Sequence, residues 1–285
     1  MKNRISVAFF LQISASLVFI GRAWQHILWE APYRALLWDE QIMKKYVEFF
    51  TKMTWTDFTT SALVDEKIQL MTKGIGVYFL FCAVTIFVNK NIFSRIIISV
   101  GTLLLCFLAW LNYKENFFQL GQLLEYSLQI IAPFLLALYG NKLSSENLTI
   151  QKPVIYWLTT AMIFTFFCHG LFATNFYPCP GDWKQMAMNF LRTDETKGSN
   201  ILYFFGVADF IFCGLFFLNV SKKTALLYFI FWGFVTTFAR LYSNFHFAFW
   251  QDSLLQWIPE FLYRTPHFLL PLVLYAIYSN RIKFN

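Results

Sequence analysis

Apolar residues gather along the chain into blocks of about 20, the length a helix needs to cross roughly 30 Å of hydrocarbon. The blocks fall at 5–24, 72–89, 94–113, 119–139, 153–173, 200–219, 224–242 and 263–280, each closed by charged or turn residues. The pattern predicts an all-α, polytopic membrane protein of about eight transmembrane helices. Both ends and the short turns between alternate blocks carry Lys2, Arg4, Lys90, Arg95, Lys142, Lys152, Lys222, Lys223, Arg281 and Lys283 against a single acid, Glu146. The positive-inside rule makes this face cytoplasmic, with both termini on it, in a bacterial inner membrane. The first block ends in Gly21-Arg22-Ala23-Trp24 with no small-x-small cleavage signature, so it reads as a retained helix rather than a signal peptide.

The opposite face receives the longer connections, 25–71, 174–199 and 243–262, and with them Trp24, Trp29, Trp38, Trp55, Trp183, Trp250 and Trp257. An aromatic belt at that interface follows. Phe247, Trp250, Leu254, Trp257 and Phe261 recur at helical spacing, as do Trp183, Met186 and Phe190, and the segment from Tyr33 to Lys52 segregates Leu36, Met43, Val47 and Phe50 from its charges. These are expected to be interfacial helices, whose plain role is to seal the ends of the bundle.

Composition sharpens the class. The chain is 58% hydrophobic and 14% charged with 36 Phe among its 285 residues, against about 25% charged for a soluble domain. Disorder, collagen, coiled coil and secreted disulfide scaffolds are excluded, and no Gly-rich phosphate loop or paired CxxC is present. The net charge of +7 sits at the ends of apolar blocks, which points to topology and the lipid bilayer rather than to nucleic acid. Cys82, Cys106, Cys168 and Cys213 fall inside apolar blocks; Cys179 alone sits in a loop, where a mixed or intermolecular disulfide is the chemistry open to it.

Residues 5–142 and 153–283 repeat one order of span, long outer segment, span, basic turn, span, outer connection, span. Gln129-Ile-Ile-Ala-Pro133 aligns with His267-Phe-Leu-Leu-Pro271, and Ala109-Trp-Leu-Asn-Tyr113 with Ala239-Arg-Leu-Tyr-Ser243. The division expected is a first four-helix bundle at 1–142, a cytoplasmic linker at 143–152 and a second bundle at 153–285, as parallel repeats with a site at their interface.

Each half is similar to the DoxX-like family of four-helix membrane proteins. The first half resembles it in the Gly21 end of the first helix, Gly74 and Gly76, the turn from Asn91 to Arg95, and Glu125-Tyr126. The second half does so in Cys168-His169-Gly170-Leu171, Gly206-Val-Ala-Asp209, Trp232-Gly233-Phe234 with Thr236-Thr-Phe-Ala-Arg240, and Tyr263-Arg264 ahead of Pro271. The resemblance implies compact bundles, some associated with respiratory or thiol redox systems, and with them a membrane or periplasmic redox partner. It implies no defined reaction.

Candidate chemistry lies in the ionisable residues within the blocks. Arg22, Glu125, His169, Arg240 and His267 fall at similar depth near the outer surface, and Asp209 approaches the midplane, where an unpaired charge costs roughly 2.5–3.5 kcal/mol. Asp209 is therefore expected to be paired, protonated or wet, with Arg240, Arg264 and His169 as its candidate partners. Asp209, His169, Arg240, Arg264 and His267 form the expected ligand site; Arg22 and Glu125 are secondary candidates in the half that supports it. Arg22 and Arg34 could receive an anionic headgroup or, the more ordinary reading, simply anchor their segment at the interface. Two histidines are too few for zinc, no metal site is expected, and a haem is disfavoured. The function expected is an outward-facing polar pocket for a small or lipidic ligand, a quinone in its redox version, with no catalytic residue assigned. The alternatives are a proton-coupled transporter of small molecules and a non-catalytic membrane anchor or assembly subunit.

Overall fold

A computed structural model describes residues 7–88, 91–140, 143 and 148–279, the side chains of 148–151 excepted. Lys2, Arg4, Lys90, Lys142, Glu146, Arg281 and Lys283 lie outside the described residues, as does the 144–147 part of the 143–152 linker. The described secondary structure is helical: α1 (Val7–Leu28), α2 (Arg34–Leu37), α3 (Glu40–Thr51), α4 (Trp55–Thr60), α5 (Ala62–Val88), α6 (Ile92–Glu115), α7 (Leu120–Glu125), α8 (Ser127–Tyr139), α9 (Leu148–Ala173), α10 (Gly181–Leu191), α11 (Glu195–Phe216), α12 (Lys222–Ser243), α13 (Trp250–Arg264) and α14 (Pro266–Tyr278).

Six of these, α1, α5, α6, α9, α11 and α12, are long and apolar enough to cross a membrane. The blocks at 119–139 and 263–280 are not single helices. Near the first break, Leu128 N–H donates to the Thr165 hydroxyl (3.3 Å), in place of the carbonyl four residues back, so α7 ends and α8 begins around Tyr126. In the second, Pro266 has no N–H for the Leu262 carbonyl, which accepts instead from the Thr265 hydroxyl (2.8 Å). The amphipathic outer segments are helices, as their spacing predicts, although Tyr33 to Lys52 is two of them. Asp39 starts the second by accepting from Ile42 N–H (3.1 Å) and also pairs with Lys114; the ammonium and this N–H together hold its carboxyl below the usual carboxylate range.

The centre of the bundle is α1 and α9, bridged by α8 and α14. Helix α1 packs on α5, α8, α13 and α14, while α9 packs on α7, α8, α11 and α14. Buried Val7, Leu11, Val18 and Phe19 of α1 and Val154, Leu158, Met162 and Phe166 of α9 belong to one continuous core. The outer helices turn Leu70, Val77, Val84, Leu103, Phe204, Ile211 and Phe231 outward, the distribution expected of a bundle whose surroundings are hydrocarbon.

Two tight contacts set the helix spacing. A Cβ at Gly21 would lie 2.7 Å from the Pro259 carbonyl and 2.8 Å from Tyr263 N, and one at Gly233 would collide with the His267 carbonyl. The second contact has a local cause. Pro271 cannot donate to the carbonyl four residues before it, so His267 O is freed, and the bare Cα of Gly233 packs onto it. Pro259 frees the Leu255 carbonyl in the same way, and that oxygen accepts from the indoles of both Trp24 and Trp29 (3.0 Å each).

Candidate functional site

The breaks in the two short-helix pairs place polar side chains on the central helices. Glu125, last residue of α7, is buried and accepts at Oε1 from Arg264 Nη1 (3.1 Å) and His169 Nε2 (3.3 Å). Arg264 closes α13, and its partner α7 belongs to the other half of the chain, so this ion pair joins the two halves. Thr165 of α9 holds the α7 break from beneath, donating to the Glu125 carbonyl (3.3 Å) while accepting from Leu128 N–H. Thr165→Val keeps the shape and removes both bonds; it is expected to cost about 1–2 kcal/mol in thermal unfolding of the detergent-solubilised protein.

His169 and His267 stack face to face, ring centroids 5.4 Å apart and planes 7° from parallel. His267 Nδ1–H donates to the Arg264 carbonyl (2.8 Å), which leaves Nε2 as an acceptor, buried and without a partner. His169 gives its Nε2–H to Glu125, and Trp183 of the interfacial helix α10 packs edge-on against its ring at 5.5 Å. Arg240 donates to Glu260 (2.8 Å) one turn before Arg264. Arg22 is buried in a parallel arrangement of neutral groups: Gln25 Oε1 at 2.8 Å, Gln129 Oε1 at 2.6 Å and the Tyr263 ring at 3.7 Å.

Asp209 does not pair with Arg240, Arg264 or His169, because Glu260 and Glu125 already hold the two arginines. Its Oδ1 accepts from Tyr228 Oη (2.8 Å); its Oδ2 is buried without a hydrogen-bond partner, the Trp232 side chain beside it lying outside hydrogen-bond geometry.

Four of the five expected site residues, Asp209, His169, Arg240 and Arg264, line one small cavity of about 30 Å³. His267 stands behind it, stacked on His169. A second cavity of about 240 Å³ runs between α10, α11 and α12, lined by Phe190, Leu191, Ile201, Phe205, Phe231 and Val235 among others and by no charged group. Met186, Leu202, Trp232 and Thr236 line both cavities, so the apolar slot meets the polar pocket across these four side chains. Phe205 and Trp232 stack at 3.8 Å along it.

Two expectations are corrected. The first half does more than support the site, since Glu125 anchors both Arg264 and His169. Arg22 and Arg34 do not form a joint headgroup site: Arg22 is buried, and Arg34 is paired with Asp65 (2.5 Å) and Glu30 (3.2 Å). A cavity of about 460 Å³ opens beside Arg34 around His26, Gln69 and Thr72; His26 itself is buried, bonded to the Arg22 carbonyl and Tyr33. Cys179 is free and half-buried, and that burial pushes its thiol up, against the pull of Lys184. Glu260, Tyr228 and Gln129 belong to the site and were not expected there. Glu260 was legible as the acid one turn before Arg264, but its position in an interfacial helix masked it.

No protein-family model, curated protein or solved structure matches the chain.

Proposed function

We propose that the protein binds a single-chain membrane amphiphile, its tail in the slot between α11 and α12 and its head in the pocket of Asp209, His169, Arg240 and Arg264. The observation that carries this reading is the contact between the two cavities: an uncharged slot leads from the apolar flank of the bundle to a pocket where a buried carboxyl oxygen has no partner. Unpartnered buried polar atoms cost free energy, and a ligand head group offsets that cost. The slot is smaller than the roughly 300–1,000 Å³ of drug-sized pockets, which favours one chain over a two-tailed lipid. A quinone is the redox version of such a ligand, with Asp209 as the group that would exchange a proton with it.

The wider setting belongs to the same proposal. The chain is a bacterial inner-membrane protein with the pocket near its outer face, and Arg95, Lys152, Lys222 and Lys223 mark the cytoplasmic end. Its halves are a duplicated DoxX-like unit: α1 with α13 corresponds to α9 with α7, Arg22 over Tyr263 corresponds to His169 on Glu125, and Gln129 corresponds to His267. The broken fourth helix of each half supports the duplication.

Leu202→Trp plugs the junction of the two cavities. Native mass spectrometry of protein purified in mild detergent should show a co-purified amphiphile that this variant loses while its melting temperature holds. Asp209→Asn should weaken retention by about 5- to 30-fold, the size of one buried polar contact. Equal retention by wild type and Leu202→Trp would sink the reading. A proton-coupled carrier is the second reading, favoured by the unpartnered acid in a spanning helix; it requires proton flux into liposomes that Asp209→Asn abolishes.

A further inference from the structure

The polar layer is unbalanced in charge. It holds three guanidinium groups, on Arg22, Arg240 and Arg264, and each of its two ion-paired carboxylates is taken: Glu260 by Arg240 at 2.8 Å and Glu125 by Arg264 at 3.1 Å. Arginine stays charged in proteins, and Arg22, buried, makes its direct contacts with amide oxygens and tyrosine rings, while the nearby Glu260, whose charge it also feels, is paired to Arg240. Asp209 makes no contact ion pair with this cluster among the described residues; its hydrogen-bond partner is the Tyr228 hydroxyl. Counted in contact pairs, one guanidinium, that of Arg22, is left without a carboxylate of its own in surroundings of low dielectric, where an anion gains most. The donors are also incomplete: Arg264, which lines the pocket, keeps its Nε–H buried with no acceptor, and Arg22 does the same.

Resting on the slot reading above, we propose that the ligand is a long-chain acid, a single apolar chain ending in a carboxylate that Arg264 and Arg240 receive. A carboxylate supplies one negative charge, which matches the surplus, and its two oxygens accept from guanidinium N–H groups in the geometry that pair favours; the proton that the acid brings, shared between it and Asp209 Oδ2, gives that oxygen its missing partner and leaves one negative charge on the pair. A phosphate dianion overshoots the surplus, and a neutral head leaves it uncompensated. The slot is about 240 Å³ and carries no charge along its length, so one chain fills it and the acid sits where the lining turns polar.

The test is equilibrium binding to the full-length protein in phosphatidylcholine nanodiscs, with palmitate, methyl palmitate, hexadecanol and decylubiquinone each competing against a fluorescent polyene fatty acid. Palmitate is expected to bind at least ~10-fold more tightly than its methyl ester or the alcohol, as a charge-assisted contact requires. Arg22→Gln removes the surplus without touching the pocket and should cut the acid-over-ester preference at least threefold while leaving ester binding unchanged. Leu202→Trp should abolish binding of all four. Equal affinity for acid and ester, or displacement of the acid by decylubiquinone at equal or lower concentration, overturns the anionic head and leaves the slot standing. No saturable binding of any of the four overturns the slot as well. The wild-type ratio of acid to ester decides the matter even where Arg22→Gln folds poorly.

Discussion

Glu125→Ala is expected to cost about 3–5 kcal/mol, because it strands Arg264 in the interior without its counter-ion and takes away the acceptor of His169 as well. The measurement is thermal or denaturant unfolding in a fixed detergent, followed by tryptophan fluorescence. Arg264→Met alone should be nearly as harmful, since it leaves Glu125 buried with only a histidine N–H. The double variant Glu125→Gln/Arg264→Met removes both charges together and should recover most of the loss, because two desolvated ions replaced by neutral groups of similar volume come close to breaking even. With Glu125→Gln alone as the remaining corner, the double-mutant cycle isolates the coupling across the two halves of the chain. Single variants that each cost less than about 1 kcal/mol would show that the pair is wet and weak, and the polar layer would lose its central clamp.

Gly233→Val is expected to be at least as damaging. A side chain there meets the backbone of His267 and Phe268 rather than the tip of a flexible neighbour, and backbone does not move aside as a side chain does. Overpacking of this kind costs about 1–3 kcal/mol and more where nothing yields, so folded protein should fall to a trace by size-exclusion chromatography. The same reasoning fixes a control. Nothing lies within 4 Å of a Cβ built at Gly214, a glycine inside α11, so Gly214→Ala should be neutral or stabilise by up to about 1 kcal/mol. If Gly233→Val folds with unchanged stability, the close contact of α12 with α14 is not what holds them together.

The six long apolar helices were legible in the sequence because burial in hydrocarbon constrains length and composition directly. The fourth and eighth blocks were legible as apolar but not as broken. Their breaks depend on Thr165, forty residues away from the Glu125 carbonyl it holds, and on a Pro266 whose effect is felt one turn earlier. The ionisable residues identified themselves by being costly where they stand, which found Asp209, His169, Arg240, Arg264 and His267 as a group. Pairing was less legible. Arg240 and Arg264 looked like partners for Asp209, and the actual partners were Glu260, whose segment read as a surface helix, and Glu125, which sits in the other half. Depth along a helix can be counted from sequence, whereas the direction a side chain faces in a many-helix bundle depends on rotations that only the packed structure fixes.

The tie between α1 and α13 bears on how such a chain is made. Trp24 finds its acceptor at Leu255, 231 residues later, and the ring that covers Arg22 is on Tyr263, later still. At a synthesis rate of roughly 5–20 residues per second, the first helix waits about 10–50 s in the bilayer before these partners emerge from the ribosome. For the first half of that interval Arg22 has Gln25 on its own helix, until Tyr126 and Gln129 follow, against an insertion cost of at most about 2.5–3.5 kcal/mol. The most central helix of the finished bundle thus enters the membrane with a charge only partly satisfied, and it depends on the insertion machinery or on water at the outer surface until the last helix closes over it.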